Sequence, residues 1–285
     1  MVDQQEPVAR ELKRIGEGRT AEIFAWGDGH ALRLFRAGTS REVALREMWV
    51  ARLVHETGIP SPAVHPADSK DGLIEVVGRF GFVMDRVDGP SMLQVLTARP
   101  WWLWRTAREF ARLHLAMHAS TVQGLPSQRE GFHGVLDRIS VTIGSGVADR
   151  IRATIDGMWT AGAVCHGDFH PDNVLMNDRG PVVIDWGPAT SGCRAADVAR
   201  TAYLLRYGTP PPGTRRIERL ITAFFRRLFL GTYLRAYLRG SSITRRDVIR
   251  WGPVIAALRL GEGIPEERNL LLRMIRKHFG DSVDR

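Results

Sequence analysis

The chain has 285 residues, of which 44% are hydrophobic and 25% are charged, and it carries a formal net charge of +9. These values are typical of a globular protein with one large domain or two lobes, and no apolar run approaches the roughly 20 residues that span a bilayer. Two cysteines are too few for a disulfide framework or a cysteine metal site, and the polar, acidic N-terminal segment is unlike a signal peptide, so a cytoplasmic protein is expected.

The N-terminal part of the chain is predicted to be rich in strands. Residues 8–35 are typical of paired strands, with a glycine-bearing turn at 15–20, a strand at 21–26, a tight hairpin at 27–29 and a return strand at 31–35. Alternation along the return strand places Leu32 and Leu34 on one face and Arg33 and Phe35 on the other.

A helix is predicted from Arg41 to Glu56, with Ser40 as its N-cap, and two further strands are predicted at 73–77 and 80–84. The segment 85–90 breaks this pattern, and helical periodicity dominates beyond it. We therefore predict an α+β protein with two lobes, 1–87 and 88–285. The predicted helices of the second lobe are 105–118, 134–160, 193–207, 215–239, 244–260 and 265–279, with a stiff proline-rich loop at 208–213.

The most informative segment is the eight-residue run His166–Asn173, with the sequence HGDFHPDN. It follows a short apolar run at 163–165 and precedes a predicted β-hairpin, 174–184, after which comes Asp185. Phosphoryl transfer requires a carboxylate near the attacking hydroxyl and oxygen ligands for Mg²⁺. Asp168 is the candidate for the first role, and Asn173 and Asp185 are the candidates for the second.

The two histidines of this run are four residues apart, which invites a metal-site interpretation. That spacing makes a zinc pair only on a helix, and Gly167 and Pro171 argue against a helix. His166 is expected instead to hydrogen-bond the backbone of the loop, and His170 is expected to support the loop or to approach phosphate.

This run, followed by Ile184-Asp185-Trp186, closely resembles the aminoglycoside phosphotransferase and choline kinase-like family. Other elements in matching order are the turn at 16–18, the helix carrying Glu47, the segment 82–89 and Asp197–Arg200. The resemblance implies a two-lobed protein-kinase-like fold, with a small antiparallel sheet and one helix in the N-lobe and a mostly helical C-lobe. It also implies ATP, with GTP not excluded, as the phosphate donor, together with Mg²⁺.

Carried onto this sequence, the resemblance implies that Asp168 is the catalytic base, within a loop that includes His166 and His170. Asn173 and Asp185 would hold Mg²⁺. Asp197 would support the loop, and the glycine-bearing turn would cover the phosphates through its backbone N–H groups. The residues implied for nucleotide binding are Gly16, Gly18 and Thr20 in the turn, Arg33 and Glu47, and Met84, Asp85 and Arg86 in the adenine-binding hinge.

One position departs from the family pattern. The family usually has a lysine on the third strand, which contacts the α- and β-phosphates and pairs with a helix glutamate, whereas this chain has Arg33. Glu47 is the expected partner of Arg33, with Glu42 as the alternative. Arginine keeps the charge but differs in shape, so a nucleotide-binding pseudokinase is the alternative to an active enzyme.

The expected phosphate acceptor is an aminoglycoside, an amino sugar or a similar small alcohol. A polycationic acceptor would need several carboxylates, and a choline-like one would need aromatic rings. A third interpretation is a polyanion or membrane-surface binder that uses the arginines of 215–246, although no nucleic-acid motif accompanies them and no nucleic-acid partner is expected. The candidate acceptor residues are Trp186, Glu262 and Glu266, with Glu267, Asp137 and Asp156 as further acidic positions.

Overall fold

The computed structural model describes residues 12–67, 69–160, 162–208 and 216–280, with the backbone alone for 216–219. The chain divides into two compact units. The first comprises the described residues up to Met92 together with Asp172–Pro188, and the second comprises Leu93–Pro171 together with the described residues from Ala189 onward. Residues 1–11 and the proline-rich loop that follows Gly208 lie outside the described residues. Arg215, with which one predicted helix begins, also lies outside them. The functional assignment of 1–87 and 88–285 as two lobes stays a prediction.

An antiparallel sheet forms the centre of the first unit. Its strands are β1 (Arg14–Glu17), β2 (Ala21–Trp26), β3 (His30–Phe35), β4 (Val64–His65), β5 (Ile74–Val76) and β6 (Arg79–Asp85). They lie in the order β1-β2-β3-β6-β4, with β5 also paired to β6. Four short strands outside this sheet follow, namely β7 (Ala163–Cys165), β8 (Val174–Asn177), β9 (Gly180–Val183) and β10 (Thr190–Gly192).

The two faces of the sheet have the alternation predicted for the return strand. Leu32 and Leu34 pack in one buried cluster, which also contains Val83. Phe35 packs in another, on the side of the first helix. Arg33 lies on that second side, with its guanidinium carbon 5.5 Å from the centre of the Phe35 ring. The predicted hairpin between β2 and β3 is also present, and Gly27 and Gly29 both have positive φ there, where glycine carries no Cβ penalty.

The predicted bounds of the first helix are confirmed. It runs from Arg41 to Glu56, and the Ser40 hydroxyl accepts a hydrogen bond from the N–H of Val43. The helices among the described residues are α1 (Arg41–Glu56), α2 (Met92–Ala98), α3 (Leu103–Ala119), α4 (Gln128–Ile143), α5 (Ser145–Met158), α6 (Arg194–Tyr207), α7 (Arg216–Arg239), α8 (Arg245–Leu260) and α9 (Pro265–Phe279). None of them combines the length and the apolar character that a bilayer crossing requires.

One helix prediction was wrong in its extent. The span 134–160 contains the greater part of α4 and all of α5, which are separated at Gly144. Gly144 has a φ of +87°, a conformation outside the helical region that glycine adopts without a Cβ clash. α4 also begins earlier than predicted, because the Ser127 hydroxyl accepts a hydrogen bond from the N–H of Glu130 and caps the helix there. The α+β fold class is confirmed.

The predicted hairpin after His166–Asn173 is formed by β8 and β9 and belongs to the first unit. Two backbone hydrogen bonds fasten it there, from the N–H of Met176 to the carbonyl of Pro90 and from the N–H of Val183 to the carbonyl of Pro60. The approach at Gly89 is so close that a Cβ on this residue would lie 2.3 Å from the Met176 carbonyl oxygen. The hairpin is therefore held in a fixed position against its own unit.

Candidate active site

Asp197, on α6, anchors the first residues of the His166–Asn173 run. Its Oδ2 accepts hydrogen bonds from the N–H of His166 (2.9 Å) and from Nε2 of His114 (3.1 Å) and of His118 (3.2 Å). Its Oδ1 accepts one from the N–H of Gly167 (2.9 Å). Four donors thus compensate a carboxylate that is only 1% exposed. The support expected from Asp197 is present, and it fixes the loop directly before Asp168.

Two tyrosines of α7 contact the other ring nitrogens of these histidines. The Tyr233 hydroxyl lies 2.7 Å from Nδ1 of His114, and the Tyr237 hydroxyl lies 2.6 Å from Nδ1 of His118. An ionised carboxylate can only accept, so Nε2 of each ring is the nitrogen that donates to Asp197. Burial and the neighbouring His118 lower the pKa of His114 to about 3, against the opposing hydrogen bond of Asp197.

The pKa of Asp197 lies well below its usual range, because the hydrogen bonds from the two histidines outweigh the effect of burial. The two histidines and Asp197 are close enough to share a metal ion. Each of the six atoms that could serve as ligands already has a hydrogen-bond partner in this network, and all three residues are buried. We therefore assign the cluster a structural role.

Asp168 follows in the loop with Arg200 and His170 beside its carboxylate. Oδ1 lies 3.7 Å from Nη2 of Arg200, and Oδ2 lies 3.6 Å from Nε2 of His170, and both distances are longer than a normal hydrogen bond. Burial alone would raise the pKa of Asp168, but His170, Arg200 and His166 together lower it to about 2. The carboxylate is therefore ionised at neutral pH, and 30% of its side chain is exposed. Nδ1 of His166 accepts the Asp168 N–H (3.2 Å), as expected for a histidine that bonds the loop backbone.

The sequence alone did not single out Arg200. Its Nε donates to the carbonyl of Gly167 (2.8 Å), and its Nη1 pairs with Oε1 of Glu262 at 2.5 Å. Arg200 is three residues after Asp197, so both side chains leave the same face of α6 toward the loop. That spacing within the Asp197–Arg200 motif is the signal that could have identified it.

Glu262 and Glu267 form the outer part of this network. Glu262 pairs with Arg259 as well as with Arg200. Arg259 also binds both carboxylate oxygens of Glu267, at 2.8 and 2.9 Å, and the Tyr203 hydroxyl donates to the same carboxylate at 3.1 Å. The acidic turn after α8 is therefore neutralised by arginines and tied to the loop that carries Asp168.

In the first unit, the β8–β9 hairpin brings the residues on either side of it together. The N–H of Ile184 donates to the carbonyl of Asn173 (3.0 Å), which extends the β8–β9 ladder by one pair and places Asp185 directly beyond it. Asp185 has a φ of +63°, a left-handed conformation that aspartate adopts more readily than most residues. The amide oxygen of Asn173 and the carboxylate of Asp185 are both hard oxygen donors, so the donor set fits Mg²⁺.

Arg33 forms the predicted ion pair with Glu47 and a second one that was not predicted. Its Nη2 lies 3.0 Å from Oε2 of Glu47, 2.9 Å from Oδ1 of Asp185 and 3.5 Å from the hydroxyl of Thr20. The Arg33 side chain is only 13% exposed. Burial raises the pKa of Glu47, and Arg33 opposes this rise only in part. One guanidinium nitrogen thus contacts Glu47 of α1, the candidate metal ligand Asp185 and Thr20 of the glycine-bearing turn.

Gly187 makes this arrangement possible. A Cβ on Gly187 would lie 2.7 Å from Cδ of Glu47 and 2.8 Å from its Oε2, which is closer than real Cβ contacts. Any larger residue after Trp186 would displace the glutamate from Arg33.

Arg36 organises the glycine-bearing turn. Its guanidinium donates to the carbonyl oxygens of Gly18 (3.0 Å) and Arg19 (3.1 Å) and pairs with Glu17 at 2.7 Å. Gly16 lies at a register shift between β1 and β2, and the N–H of Gly18 donates to the carbonyl of Ala21. The turn is therefore held through the carbonyl groups of Gly18 and Arg19 and through the N–H of Gly18.

The predicted hinge residues lie at the end of β6. The N–H of Asp85 donates to the carbonyl of Ala63, and that of Arg86 donates to the carbonyl of Gly29, both at 2.9 Å. Met84 pairs with Ala31 in the sheet. Because these two N–H groups are engaged, an adenine contact here would rely on other backbone groups of the segment.

The predicted acceptor residues differ in exposure and in their partners. Trp186 is 4% exposed, and its Nε1 donates to the carbonyl of Val183 (2.9 Å), so little of the indole is open to an acceptor. Glu266 is exposed. Asp137 pairs with Arg152, and Asp156 pairs with Arg129.

The sequence model of the phosphotransferase enzyme family, APH, matches residues 11–243. No curated protein sequence matches the chain significantly. Among solved structures, an aminoglycoside-3′-phosphotransferase of type VIII shares 21% identity with a TM-score of 0.58, and the alignment covers 87% of this chain and 93% of that one. The amicoumacin kinase hAmiN, solved with AMP-PNP, Ca²⁺ and Ami, shares 14% identity with a TM-score of 0.63, over 96% of this chain and 89% of that one.

The choline kinase LicA from Streptococcus pneumoniae is similar to the same extent, with 13% identity and a TM-score of 0.56 over 94% of this chain and 93% of that one. Likenesses at such low identity concern the fold, and they confirm the protein-kinase-like fold inferred from the catalytic motif. The match of the family model over most of the sequence shows family membership as well as fold. The chain therefore belongs to the phosphotransferase enzyme family.

Proposed function

We propose that this chain is an ATP- and Mg²⁺-dependent kinase that moves the γ-phosphate to a hydroxyl group of a small molecule, with GTP as the other candidate donor. The observation that carries this proposal is the state of Asp168. Its carboxylate is partly exposed, has a pKa lowered to about 2 by His170, Arg200 and His166, and follows a backbone fixed by the buried Asp197 network.

Asp168 would act by positioning. A pKa of about 2 makes it a weak base, which cannot remove a hydroxyl proton early in the reaction. In a loose phosphoryl-transfer transition state the proton leaves late, so an ionised carboxylate that orients the hydroxyl and accepts the proton at the end suffices. Arg200 and His170 would hold the carboxylate in its orientation.

Asn173 and Asp185 would hold Mg²⁺, since both supply hard oxygen donors. When bound, the ion neutralises charge on the nucleotide phosphates. Arg33 would contact phosphate in place of the usual lysine. Glu47 keeps Arg33 near this position, while the turn held by Arg36 would present N–H groups to the phosphates.

The charge pattern favours an amino sugar or another small alcohol over a polycationic aminoglycoside. Two solved neighbours are complexes with streptomycin and with hygromycin B, and such cationic acceptors require uncompensated carboxylates. Here Glu262, Glu267, Asp137 and Asp156 are all paired with arginines. A strongly cationic acceptor would have to displace these arginines.

A turnover assay on an acceptor panel tests the proposal. ADP formation is measured with Mg²⁺ and ATP against neutral sugars, amino sugars, choline-like alcohols and aminoglycosides. Wild type is expected to turn over at least one acceptor, most readily a neutral or singly charged one. Asp168→Asn is expected to reduce that rate by about 100-fold or more. Asp178→Asn, in the exposed turn of the β8–β9 hairpin, is the matched control and is expected to keep the wild-type rate.

A nucleotide-binding pseudokinase is the second candidate, and the contact between Arg33 and Asp185 favours it. An arginine that occupies the candidate Mg²⁺ ligand could block metal binding. In that case nucleotide would stabilise the protein thermally without turnover, and Arg33→Lys would raise activity because an ammonium forms fewer fixed contacts. In an enzyme adapted to arginine, the same substitution lowers turnover.

A further inference from the structure

Three potential metal ligands meet at one end of the sheet in the first unit, on the face opposite Arg33. His30 opens β3, His65 closes β4 and Asp85 closes β6. The register pairs His30 with Asp85 and pairs His65 with Val83. Because alternate residues of a strand share a face, Val83 and Asp85 point to the same side. The pairing therefore places all three side chains together.

The distances are those of a compact cluster. Nε2 of His65 lies 2.6 Å from Oδ1 of Asp85, and the imidazole rings of His30 and His65 are 4.5 Å apart and nearly perpendicular. One ligand atom from each residue lies within 4.8 Å of the other two. The ligand atoms of a tetrahedral zinc site lie about 3.3 Å apart when each bond is about 2.0–2.1 Å, so small side-chain rotations would suffice.

The backbone positions these ligands in advance. Oδ2 of Asp85 accepts a hydrogen bond from the N–H of Ala63 (3.0 Å), which orients the carboxylate with Oδ1 toward His65. Such a hydrogen bond to a ligating carboxylate is typical of the support around metal sites. All three residues are partly exposed, so an ion can enter from solvent. The neighbouring Arg86 guanidinium is paired with Asp88 rather than with Asp85.

We propose that His30, His65 and Asp85 form a binding site for a divalent transition metal, for which Zn²⁺ is the representative ion. Two imidazoles and one carboxylate are ligands that suit Zn²⁺, and hard ions such as Mg²⁺ prefer oxygen alone. Solvent would complete the coordination. The ion would connect the ends of three neighbouring strands. It would be held by side chains, whereas the adenine contact predicted at Asp85 involves the backbone of the hinge.

Metal titration of the tag-free protein tests the site. Binding is followed with Co²⁺ by its visible absorption and with Zn²⁺ by calorimetry and thermal unfolding. The wild type is expected to bind one ion and to unfold at a higher temperature with Zn²⁺ than with Mg²⁺. His65→Ala and His30→Ala are each expected to weaken binding by at least about tenfold and to remove the thermal shift. His278→Ala, at an exposed histidine of α9, is the matched control and is expected to bind as the wild type does.

Circular dichroism of each variant without metal establishes that it is folded, and Asp85→Asn provides a third, smaller change at the site. If the wild type shows no saturable binding of one ion, the proposal is wrong. It is also wrong if folded His30→Ala and His65→Ala bind Zn²⁺ with the affinity of the wild type. In either case the cluster is a hydrogen-bonded His65–Asp85 pair beside His30, without a metal function.

Discussion

At the scale of single residues, one arginine in each unit makes several contacts with residues proposed for the chemistry. Arg33 joins Glu47 and Asp185 in the first unit. Arg200 joins the carbonyl of Gly167, the carboxylate of Asp168 and the carboxylate of Glu262 in the second. The planar guanidinium can serve several acceptors at fixed angles, which an ammonium cannot do in the same way. Arg33 therefore does more than replace a lysine charge, because its guanidinium, like that of Arg200, serves several acceptors at once.

Arg200→Gln tests the role of this arginine beside Asp168. The change removes a cation that lowers the pKa of Asp168, so the acid limb of the rate profile should move to higher pH. We expect kcat to fall by about tenfold, with little change in KM for ATP, because the residue positions the carboxylate and does not contact nucleotide. Steady-state kinetics from pH 3 to pH 8, with the best acceptor of the panel, measure both effects, because a pKa of about 2 places the wild-type acid limb below pH 4.

Arg206→Gln is the matched control, since Arg206 lies on the same helix and is exposed. An Arg200→Gln enzyme with an unchanged rate and an unchanged acid limb would show that Asp168 needs no support from Arg200.

At the scale of secondary-structure elements, the β8–β9 hairpin is followed by the candidate metal ligand Asp185, which contacts Arg33. Gly187, two residues later, leaves room for the side chain of Glu47. Gly187→Ala would introduce a Cβ within 2.7 Å of the Glu47 carboxylate carbon. We expect a loss of about 1–3 kcal/mol in the free energy of unfolding, since the glutamate must leave its ion pair or the hairpin must shift. Urea unfolding of wild type and variant measures this loss.

Gly231→Ala separates this clash from the general effect of replacing glycine. Gly231 lies inside α7, it is exposed, and a Cβ there would meet nothing within 4 Å. That substitution is expected to stabilise the protein by up to about 1 kcal/mol, because alanine favours the helix. Equal stability changes at the two positions would contradict the close packing of Glu47 against Gly187.

The elements also show why some features could be predicted from the sequence and others could not. The bounds of α1 depend on local signals, namely the Ser40 cap and the apolar period, and they were predicted to the residue. The pairing of Arg33 with Glu47 came from the family pattern. The contact of Arg33 with Asp185 joins residues 152 positions apart, and the contacts of Tyr233 and Tyr237 with the histidines of α3 join residues 119 apart. No periodicity or cap encodes such separations, so only the packed structure reveals them.

At the scale of the whole molecule, the buried network around Asp197 makes folding stability depend on pH. The pKa of His114 is lowered to about 3, so between about pH 6.5 and 3 the unfolded chain binds a proton that the folded chain does not. Stability from this residue is therefore present above about pH 6.5 and declines as the pH falls. Asp197 and Asp168 have lowered pKa values, so their contribution is present above about pH 4 and is lost below it.

We expect the free energy of unfolding to decrease steadily from pH 7 to pH 5 and to decrease more steeply below pH 4. Urea unfolding at constant ionic strength across pH 3–8 measures this dependence. The exposed His278 provides the control, because His278→Ala should leave the slope unchanged. A flat profile between pH 8 and pH 5 would contradict a neutral His114 inside the network.

The central claim is that Asp168 orients a hydroxyl for transfer of the γ-phosphate, and isotope transfer tests it most directly. ATP labelled at the γ-phosphate is incubated with Mg²⁺ and the acceptor panel, and the label is followed from ATP into the acceptor. The wild type is predicted to produce one labelled acceptor for each ADP formed, while folded, nucleotide-binding Asp168→Asn is predicted to transfer about 100-fold less label or lower still. Equal transfer by the wild type and Asp168→Asn, or no transfer to any hydroxyl acceptor by the wild type, would contradict the account.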